Sequence, residues 1–370
     1  MAKKRANGEG SKWFDEPKQL YRAAITTPAG KRLTKASKVE EVVDDWLNEQ
    51  RLLVGRRQHI EPHSVTLGDW IDEWLEVYAK VSVRPRTYDR YVSLLAHAEP
   101  LDKQRLVNLL PSHFQKLYNS LDELSGTTRK HLHYCLSGCL QQAVKNKLIH
   151  RNPIDDVDAP KSKPKEIEIF TDDELAAIFA AAESTKYPVI FDIAIGTGMR
   201  VSEILALQRQ HIDTKKSTIK VEKTVHYSIS EGTHTCDPKT DKSRRTIKID
   251  KYTMGRIRDH LLKTSGNILF PASHGDYLNP TTYLRYHYSK VREAAGLTKG
   301  FHSFRHTHAT QLINAGVPVQ EVSRRLGHSR VSTTADIYTH PTDDGEDNVV
   351  SMVDDIRNRI NAKMQKKSAQ

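Results

Sequence analysis

The chain has 370 residues, and because single hydrophobic cores stop growing near roughly 250 residues, we expect two or three domains. Its 57 Lys and Arg against 46 Asp and Glu give a formal net charge of +11, which favours a polyanionic partner without distinguishing DNA, RNA and acidic lipid. The sequence holds no apolar run of roughly 20 residues and its first residues are polar, so a cytoplasmic protein without membrane contact is predicted.

The cysteine pattern argues against a disulfide framework and against a zinc site. Cys135, Cys139 and Cys236 are odd in number and form no Cys-x-x-Cys pair, and the 18 histidines show no metal-ligand spacing. Cys135 and Cys139 stand about one helical turn apart, so we expect them to be small core residues.

The first segment, residues 1–59, predicts a small sheet carrying one helix. Trp13 and the run 20–26 have strand character, a turn is expected at residues 28–30, and residues 31–35 can return as a paired strand. Ser37 followed by Glu40 forms a capping-box pattern at the start of a helix. Ten Lys or Arg against three Asp or Glu between residues 3 and 38 make this segment strongly basic.

The second segment, residues 64–157, predicts an all-helical domain. Thr66 is an N-cap candidate before an apolar stripe with helical spacing that includes Trp70 and Trp74. Further helical patterns cover 86–98, 112–121 and 126–147. A basic connector with Pro160 and Pro164 follows, and its lysines either touch phosphates or form a solvated tether.

The third segment, residues 166–370, predicts a mixed α+β domain with a C-terminal helix. Thr171 is an N-cap candidate, helices are expected to about 182 and over 187–195, and alternating strands near 218–225 and 246–249 precede more helices. After an acidic turn, the apolar positions from Val349 to Ile360 predict an amphipathic tail helix. This helix packs on its own domain or, as a hypothesis, on a neighbouring subunit.

Three blocks in the third segment carry groups suited to phosphodiester chemistry. They are Ala194–Leu205, Pro238–Ile247, and a third block running from His302 through Arg305 and Leu326-Gly327-His328 to Tyr338-Thr339-His340. In this order and composition they resemble the signature blocks of tyrosine recombinases of the phage integrase kind, over roughly residues 170–340. Met199 and Phe304 stand where leucine is commoner in that family, and both keep the position apolar.

The resemblance implies a role for each residue of the blocks. Tyr338 is the nucleophile that forms a 3′-phosphotyrosine, so that the strand can be rejoined without ATP. Arg200 and Arg305 hold nonbridging oxygens, since guanidinium groups make paired hydrogen bonds and stay charged. His302 assists proton transfer at the tyrosine, and His328 donates to a phosphate oxygen. Neither a metal nor another cofactor is required.

Two assignments in these blocks have direct competitors. Lys239 is expected to protonate the departing 5′ oxygen, but Lys242 and Lys223 lie nearby, and the spacing Lys-Thr-x-x-Ser-x-Arg favours Lys239. Glu203 resembles the family's supporting acidic position, although Arg-x-x-Glu on a helix often forms an ordinary surface pair. Any single Tyr, His, Arg or Lys is usually structural, and it is the complete ordered set that favours catalysis.

The predicted function is a site-specific integrase that inserts and excises a mobile element or phage genome. The first and second segments are then arm-type and core-type DNA-binding domains, with contacts expected from Lys31, Arg32, Lys161, Lys163 and Lys165. The resemblance implies double-stranded DNA and a homo-tetramer on it, and by analogy a host DNA-bending protein and a directionality factor, in the nucleoid of a bacterial host cell.

Other functions fit parts of the same sequence pattern. A XerC/XerD-like chromosome-dimer resolvase has the same chemistry but generally lacks an arm-type module, and a type IB topoisomerase or a hairpin-forming resolvase also cuts through tyrosine. Helical patterns on both sides of 314–317 also suggest a non-catalytic helix-turn-helix regulator, which has no need of Tyr338.

Overall fold

A computed structural model describes residues 9–26, 30, 32–55, 64–162, 167–237, 243–328, 330–332, 334–335 and 357. The chain divides into two compact units, residues 1–163 and 164–370. Several predictions lie outside the described residues. They are most of the turn at 28–30, Lys31, Lys163, Lys165, Lys239, Tyr338 and the tail helix apart from Arg357.

The N-terminal part of the first unit is an antiparallel sheet with one helix. Strands β1 (Ser11–Asp15), β2 (Leu20–Thr26) and β3 (Arg32–Ser37) pair in that order, which confirms the predicted strands. Ser37 Oγ accepts the backbone N–H of Val39 at 3.1 Å, just before helix α1 (Glu40–Gly55). Ala23 and Ile25 of β2 and two residues of α1 form a small core, so one face of the sheet is covered.

The rest of the first unit is helical, as predicted. Its helices are α2 (Leu67–Trp74), extended by a π turn Leu75–Ala79 and α3 (Lys80–Ser82), then α4 (Pro85–Leu95), α5 (Pro111–Ser120) and α6 (Gly126–Lys145). Thr66 caps α2 in a capping box with Asp69. Trp70 donates to the Cys139 carbonyl at 3.0 Å, and Cys135 and Cys139 are buried, so their predicted core position is confirmed.

The second unit mixes helices with two small sheets. Its helices are α7 (Asp172–Ala182), α8 (Val189–Thr197), α9 (Val201–Ile204), α10 (Lys251–Lys263), α11 (Pro280–Thr282), α12 (Ser289–Ala294), α13 (His302–Asn314) and α14 (Val319–Leu326), with a π segment Tyr283–Tyr288 before α12. Strands β4 (Ile212–Asp213), β5 (Thr218–Val221) and β8 (Arg245–Lys248) form one sheet, and β6 (Thr224–Ser228) and β7 (Gly232–Cys236) form a hairpin.

The run predicted as strand at 218–225 divides between the two sheets. Thr218 to Val221 pair with β8, whereas Thr224 to Ser228 pair with β7, and Glu222-Lys223 separate them. The hairpin was not predicted, because its second strand is polar and carries no apolar alternation.

The larger hydrophobic core of the second unit is built around helix α8. Ile190, Phe191 and Ile193 of α8 are buried, and Phe191 lies against Phe301 and Phe304 with ring centroids 6.0 and 5.8 Å away. Met199 and Phe304 are buried, so apolar side chains at these positions fit the fold. Throughout the described residues of both units, no helix has the length and apolar character needed to cross a membrane.

Candidate active site

Arg200 is presented by a sharp turn between α8 and α9. Gly198 ends α8 in the left-handed conformation with φ +65°, and Arg200 follows in an extended conformation before α9. The Arg200 side chain is 38% exposed, and its Nη1 donates to Glu203 Oε1 at 3.0 Å. The Arg200 guanidinium group is therefore held by Glu203 on one side and accessible to solvent on the other.

Glu203 is a buried carboxylate held by two arginines. It is 2% exposed, accepts the Arg200 backbone N–H at 2.9 Å, and receives bonds from both terminal nitrogens of Arg245. Burial works against its ionised form, but the Arg245 and Arg200 guanidinium groups outweigh this and lower the Glu203 pKa. Glu203 therefore differs from an ordinary surface pair, since its carboxylate is buried and shared with Arg245 as well as Arg200.

Arg245 is the member of this group for which no role was predicted from the sequence. Its side chain is 7% exposed and lies at the start of β8. The signal was present in the sequence, because Arg245 is the arginine that ends the Lys-Thr-x-x-Ser-x-Arg spacing used to choose Lys239.

Arg305 lies on α13 and joins two other segments of the site. Its side chain is almost fully buried, with Nη1 donating to the Gly198 carbonyl at 2.8 Å and Nη2 to the Leu326 carbonyl at 2.7 Å. Arg305 thus places a fixed positive charge between the α8–α9 turn and the end of α14.

His302 begins α13 and keeps an exposed edge. Burial of the remainder of the ring, together with His306, Arg305 and Arg200 nearby, lowers the pKa of His302 below its usual value. The His306 ring meets it edge to face at a centroid distance of 4.6 Å. His302 is therefore neutral at pH 7 and able to accept a proton.

His328 follows Gly327, which ends α14 in the left-handed conformation. Its Nδ1 lies 2.8 Å from the hydroxyl of the buried Thr334. Burial, then Arg305, Arg200 and His302, lower the pKa of His328 to about 4. When the Thr334 hydroxyl donates to Nδ1, the neutral ring carries its proton on Nε2 and can donate it to an anion.

A cleft of about 390 Å³ opens between Arg200 and His302. Its lining residues are Met199, Arg200, Val201, Ser202, Leu284, Gly300, Phe301 and His302. The structure thus brings Arg200, His302, Arg305 and His328 together, with Glu203 behind Arg200, whereas their catalytic roles stay predictions. Within the described ranges, no group of three or more His, Cys, Asp or Glu side chains could hold a metal ion.

The predicted DNA contacts that the structure describes lie on the first unit. Arg32 is exposed at the start of β3, with its guanidinium carbon 6.0 Å from the centroid of the Trp13 ring. Lys161 is exposed beyond the last helical turn of the unit. Both side chains are accessible to a phosphate backbone.

Solved structures with the same fold come from two recombination systems. The Tn1549 transposon integrase, in complex with a circular intermediate DNA, matches with a TM-score of 0.68 and 19% identity, covering 78% of this chain and 100% of that chain. A lambda integrase tetramer bound to a Holliday junction matches with a TM-score of 0.60 and 19% identity, covering 92% and 99%. At these identities the likeness shows the fold.

Two curated relatives match over nearly their whole length. A "Tyrosine recombinase XerC-like" protein of Caldanaerobacter subterraneus subsp. tengcongensis is 28% identical, covering 92% of this chain and 97% of the relative. An "Integrase" of Streptomyces ambofaciens is 25% identical, covering 91% and 94%.

Two protein-family models match separate parts of the chain. The model described as "Phage integrase family" matches residues 168–344, which include all three blocks. The model described as "Phage integrase, N-terminal SAM-like domain" matches residues 66–121 in the helical part of the first unit. Together they span more than half of the sequence, and the chain belongs to the phage integrase family of tyrosine recombinases.

Proposed function

We propose that this recombinase is an integrase that cuts and rejoins DNA through Tyr338 to insert and excise a mobile element. The observation that carries the proposal is the grouping of Arg200, His302, Arg305 and His328 beside one cleft. Burial, followed by nearby charges that include Arg305 and Arg200, lowers the pKa values of both imidazoles. Attack on a phosphodiester needs these groups, because charge develops on the phosphorus oxygens and a proton must leave the nucleophile.

In the proposed reaction the Tyr338 hydroxyl oxygen attacks phosphorus, and the bond from phosphorus to the 5′ oxygen breaks. The phenolic proton passes to His302, which is neutral at pH 7, and Lys239 gives a proton to the departing 5′ oxygen. The product is a 3′-phosphotyrosine and a free 5′-hydroxyl. Attack by a 5′-hydroxyl from another strand reverses these steps, so no metal or ATP is needed.

The two arginines differ in what they offer the phosphate. Arg200 has an accessible guanidinium group and is suited to direct bonds to nonbridging oxygens. Arg305 is almost fully buried and binds the Gly198 and Leu326 carbonyls, so it offers the same phosphate a positive charge in a fixed position. Loss of either group removes transition-state stabilisation.

The proposed partners are double-stranded DNA and three further copies of the chain. Recombining two duplexes takes four strand cuts, and each protomer supplies one Tyr338. Residues 1–59 would bind arm-type sites, 64–157 core-type sites, and 166–370 carry the chemistry, with Arg32 and Lys161 as accessible phosphate contacts. Linked modules raise one another's local concentration, so each can bind weakly alone. A host bending protein, a directionality factor and location in the bacterial nucleoid belong to the same proposal.

A DNA-trapping experiment tests the chemistry. The Tyr338→Phe variant first selects a core site from a random-sequence DNA library, because it should bind without cutting. The wild-type protein should then form a covalent adduct on a nicked duplex of that site, whereas Tyr338→Phe should bind with unchanged affinity and form none. An adduct formed by Tyr338→Phe rejects the assignment of the nucleophile.

A XerC-like resolvase is the second candidate, favoured by the XerC-like relative that aligns with 92% of the chain. The two roles differ in their need for the basic N-terminal segment. Deleting residues 1–59 should abolish integration while core-site cleavage persists if the protein is an integrase. Fully normal recombination by the deletion variant supports the resolvase. The non-catalytic regulator is contradicted, because the chain belongs to an enzyme family.

A further inference from the structure

The Arg245 guanidinium group connects three segments that are distant in sequence. Its Nη1 and Nη2 donate to Glu203 Oε1 and Oε2 at 3.2 and 3.0 Å, and its Nε donates to the Arg325 carbonyl at 2.7 Å. Nη1 also bonds the Ser243 carbonyl at 3.1 Å. One planar guanidinium group therefore donates to Glu203, to the Arg325 carbonyl and to the Ser243 carbonyl, which a single ammonium group could not do with the same geometry.

At one end, Arg245 acts on Arg200 through Glu203. The Glu203 carboxylate accepts the backbone N–H of Arg200 and its Nη1, and the same two oxygens accept Arg245. Because the Glu203 carboxylate is bonded by both arginines, it cannot rotate freely. It therefore fixes the orientation of the Arg200 guanidinium group at the cleft.

At the other end, Arg245 acts on the turn that carries His328. The Arg325 carbonyl that it binds is followed by Leu326, whose carbonyl accepts Arg305, and then by Gly327. A Cβ added at Gly327 would lie 2.9 Å from Arg245 Nη1, so the guanidinium group is packed directly against this turn. The position of Arg245 thus sets the start of the His328 segment.

We propose that Arg245 is a positioning residue that aligns Arg200 and His328 on the same phosphate. The inference rests on the proposed function and extends it to a residue that does not itself reach the cleft lining. Burying an ion pair adds little net stability over apolar packing. The Glu203–Arg245 pair therefore contributes mainly by positioning catalytic groups, because a displacement of about 1 Å in such a group lowers the reaction rate by a large factor.

The experiment compares two substrates that differ in charge at the scissile phosphate. Full-length wild type, Arg245→Gln and Arg245→Lys are assayed for adduct formation on the selected nicked core site, with an ordinary phosphate and with a neutral methylphosphonate there. Arg256→Gln is the control, because Arg256 also pairs with a buried carboxylate of this unit, Asp192, at 3.0 Å. Among the residues that the structure describes, the Arg256 guanidinium group bonds Asp192 and Glu183 and no residue of the site.

If Arg245 positions charge, its loss matters less on a neutral substrate. Arg245→Gln should slow cleavage of the phosphate about 100-fold, as removal of one stabilising donor does, and cleavage of the methylphosphonate less than about 10-fold. Arg245→Lys should show the same selective loss, because an ammonium group cannot reach both Glu203 and the Arg325 carbonyl with fixed geometry. Arg256→Gln should change both rates by the same factor.

Each other outcome counts against one identifiable claim. Equal losses of rate on both substrates for both Arg245 variants overturn the positioning role, because a general folding defect slows both substrates alike. Wild-type rates for both variants also overturn it. If Arg245→Gln fails to fold by circular dichroism, Arg245→Lys decides alone. If the wild-type protein forms no adduct at all, the proposed function fails, and this inference fails with it.

Discussion

A methyl group added at Gly198 would meet both an unfavourable backbone conformation and close-packed neighbours. It has φ +65°, and an added Cβ would lie 2.6 Å from Leu326 Cδ2 and 2.7 Å from His308 Cδ2, both in buried side chains. The left-handed conformation costs an alanine about 1–2 kcal/mol, and overpacking costs about 1–3 kcal/mol more. Gly198→Ala should therefore destabilise the second unit by about 2–5 kcal/mol and shift the carbonyl that Arg305 binds.

Gly232→Ala is the matched control. Gly232 also has φ +65°, but an added Cβ would meet no atom within 4 Å, so only the backbone cost of about 1–2 kcal/mol is expected. The difference between the two variants gives the packing contribution at the Gly198 turn.

Urea unfolding of the full-length protein can report the two units separately. All four tryptophans, Trp13, Trp46, Trp70 and Trp74, lie in the first unit, so their fluorescence follows that unit alone, while far-ultraviolet circular dichroism follows both. With a urea m-value of roughly 2 kcal/mol per molar, Gly198→Ala should lower the midpoint of the second unit by about 1–2.5 M and leave the fluorescence transition unchanged. A Gly198→Ala variant no less stable than Gly232→Ala refutes the packing argument.

Three further predictions concern stability. Glu203→Gln leaves Arg245 buried without a counter-charge and should cost the second unit about 3–5 kcal/mol in urea titrations; wild-type stability of the variant contradicts the buried network. The pKa of His308 is lowered to about 4 from 6.5, first by burial and then by Arg325, so the unfolded state takes up a proton first as the pH falls. Thermal melts should accordingly show the second unit losing stability as the pH falls from about 6.5 towards 4, with a smaller loss in His308→Gln. An identical pH dependence of stability in the two proteins contradicts this role of His308. Thr66→Ala removes the cap of α2 and should cost the first unit about 1 kcal/mol by tryptophan fluorescence, and no shift speaks against the cap.

Features set by neighbouring residues were predictable from the sequence. Thr66 and Thr171 cap their helices because a hydroxyl, a carboxylate three residues later and an apolar run define a helix start locally. The strands of the N-terminal sheet followed from β-forming runs separated by turn residues. The three ordered blocks indicated the family, and the roles of their residues stay predictions.

Features set by distant partners were not predictable. Arg-x-x-Glu spacing is the same in a surface pair and in a buried one, and what decides between them here is Arg245, 42 residues away from Glu203. The β6–β7 hairpin depends on pairing between strands whose second member, Gly232–Cys236, has no apolar pattern. The carbonyl partners of Arg305 depend on the folded positions of Gly198 and Leu326, 107 and 21 residues away.

The central step of the proposed mechanism is attack by the Tyr338 hydroxyl oxygen on the scissile phosphorus, next to the arginines and histidines of the site. Mass spectrometry of the adduct trapped on the nicked core site, after digestion with protease and nuclease, tests it most directly. We expect a single modified peptide in which Tyr338 carries the 3′-phosphate of the cut strand. A nucleotide attached to another residue, or joined through a 5′-phosphate, contradicts it.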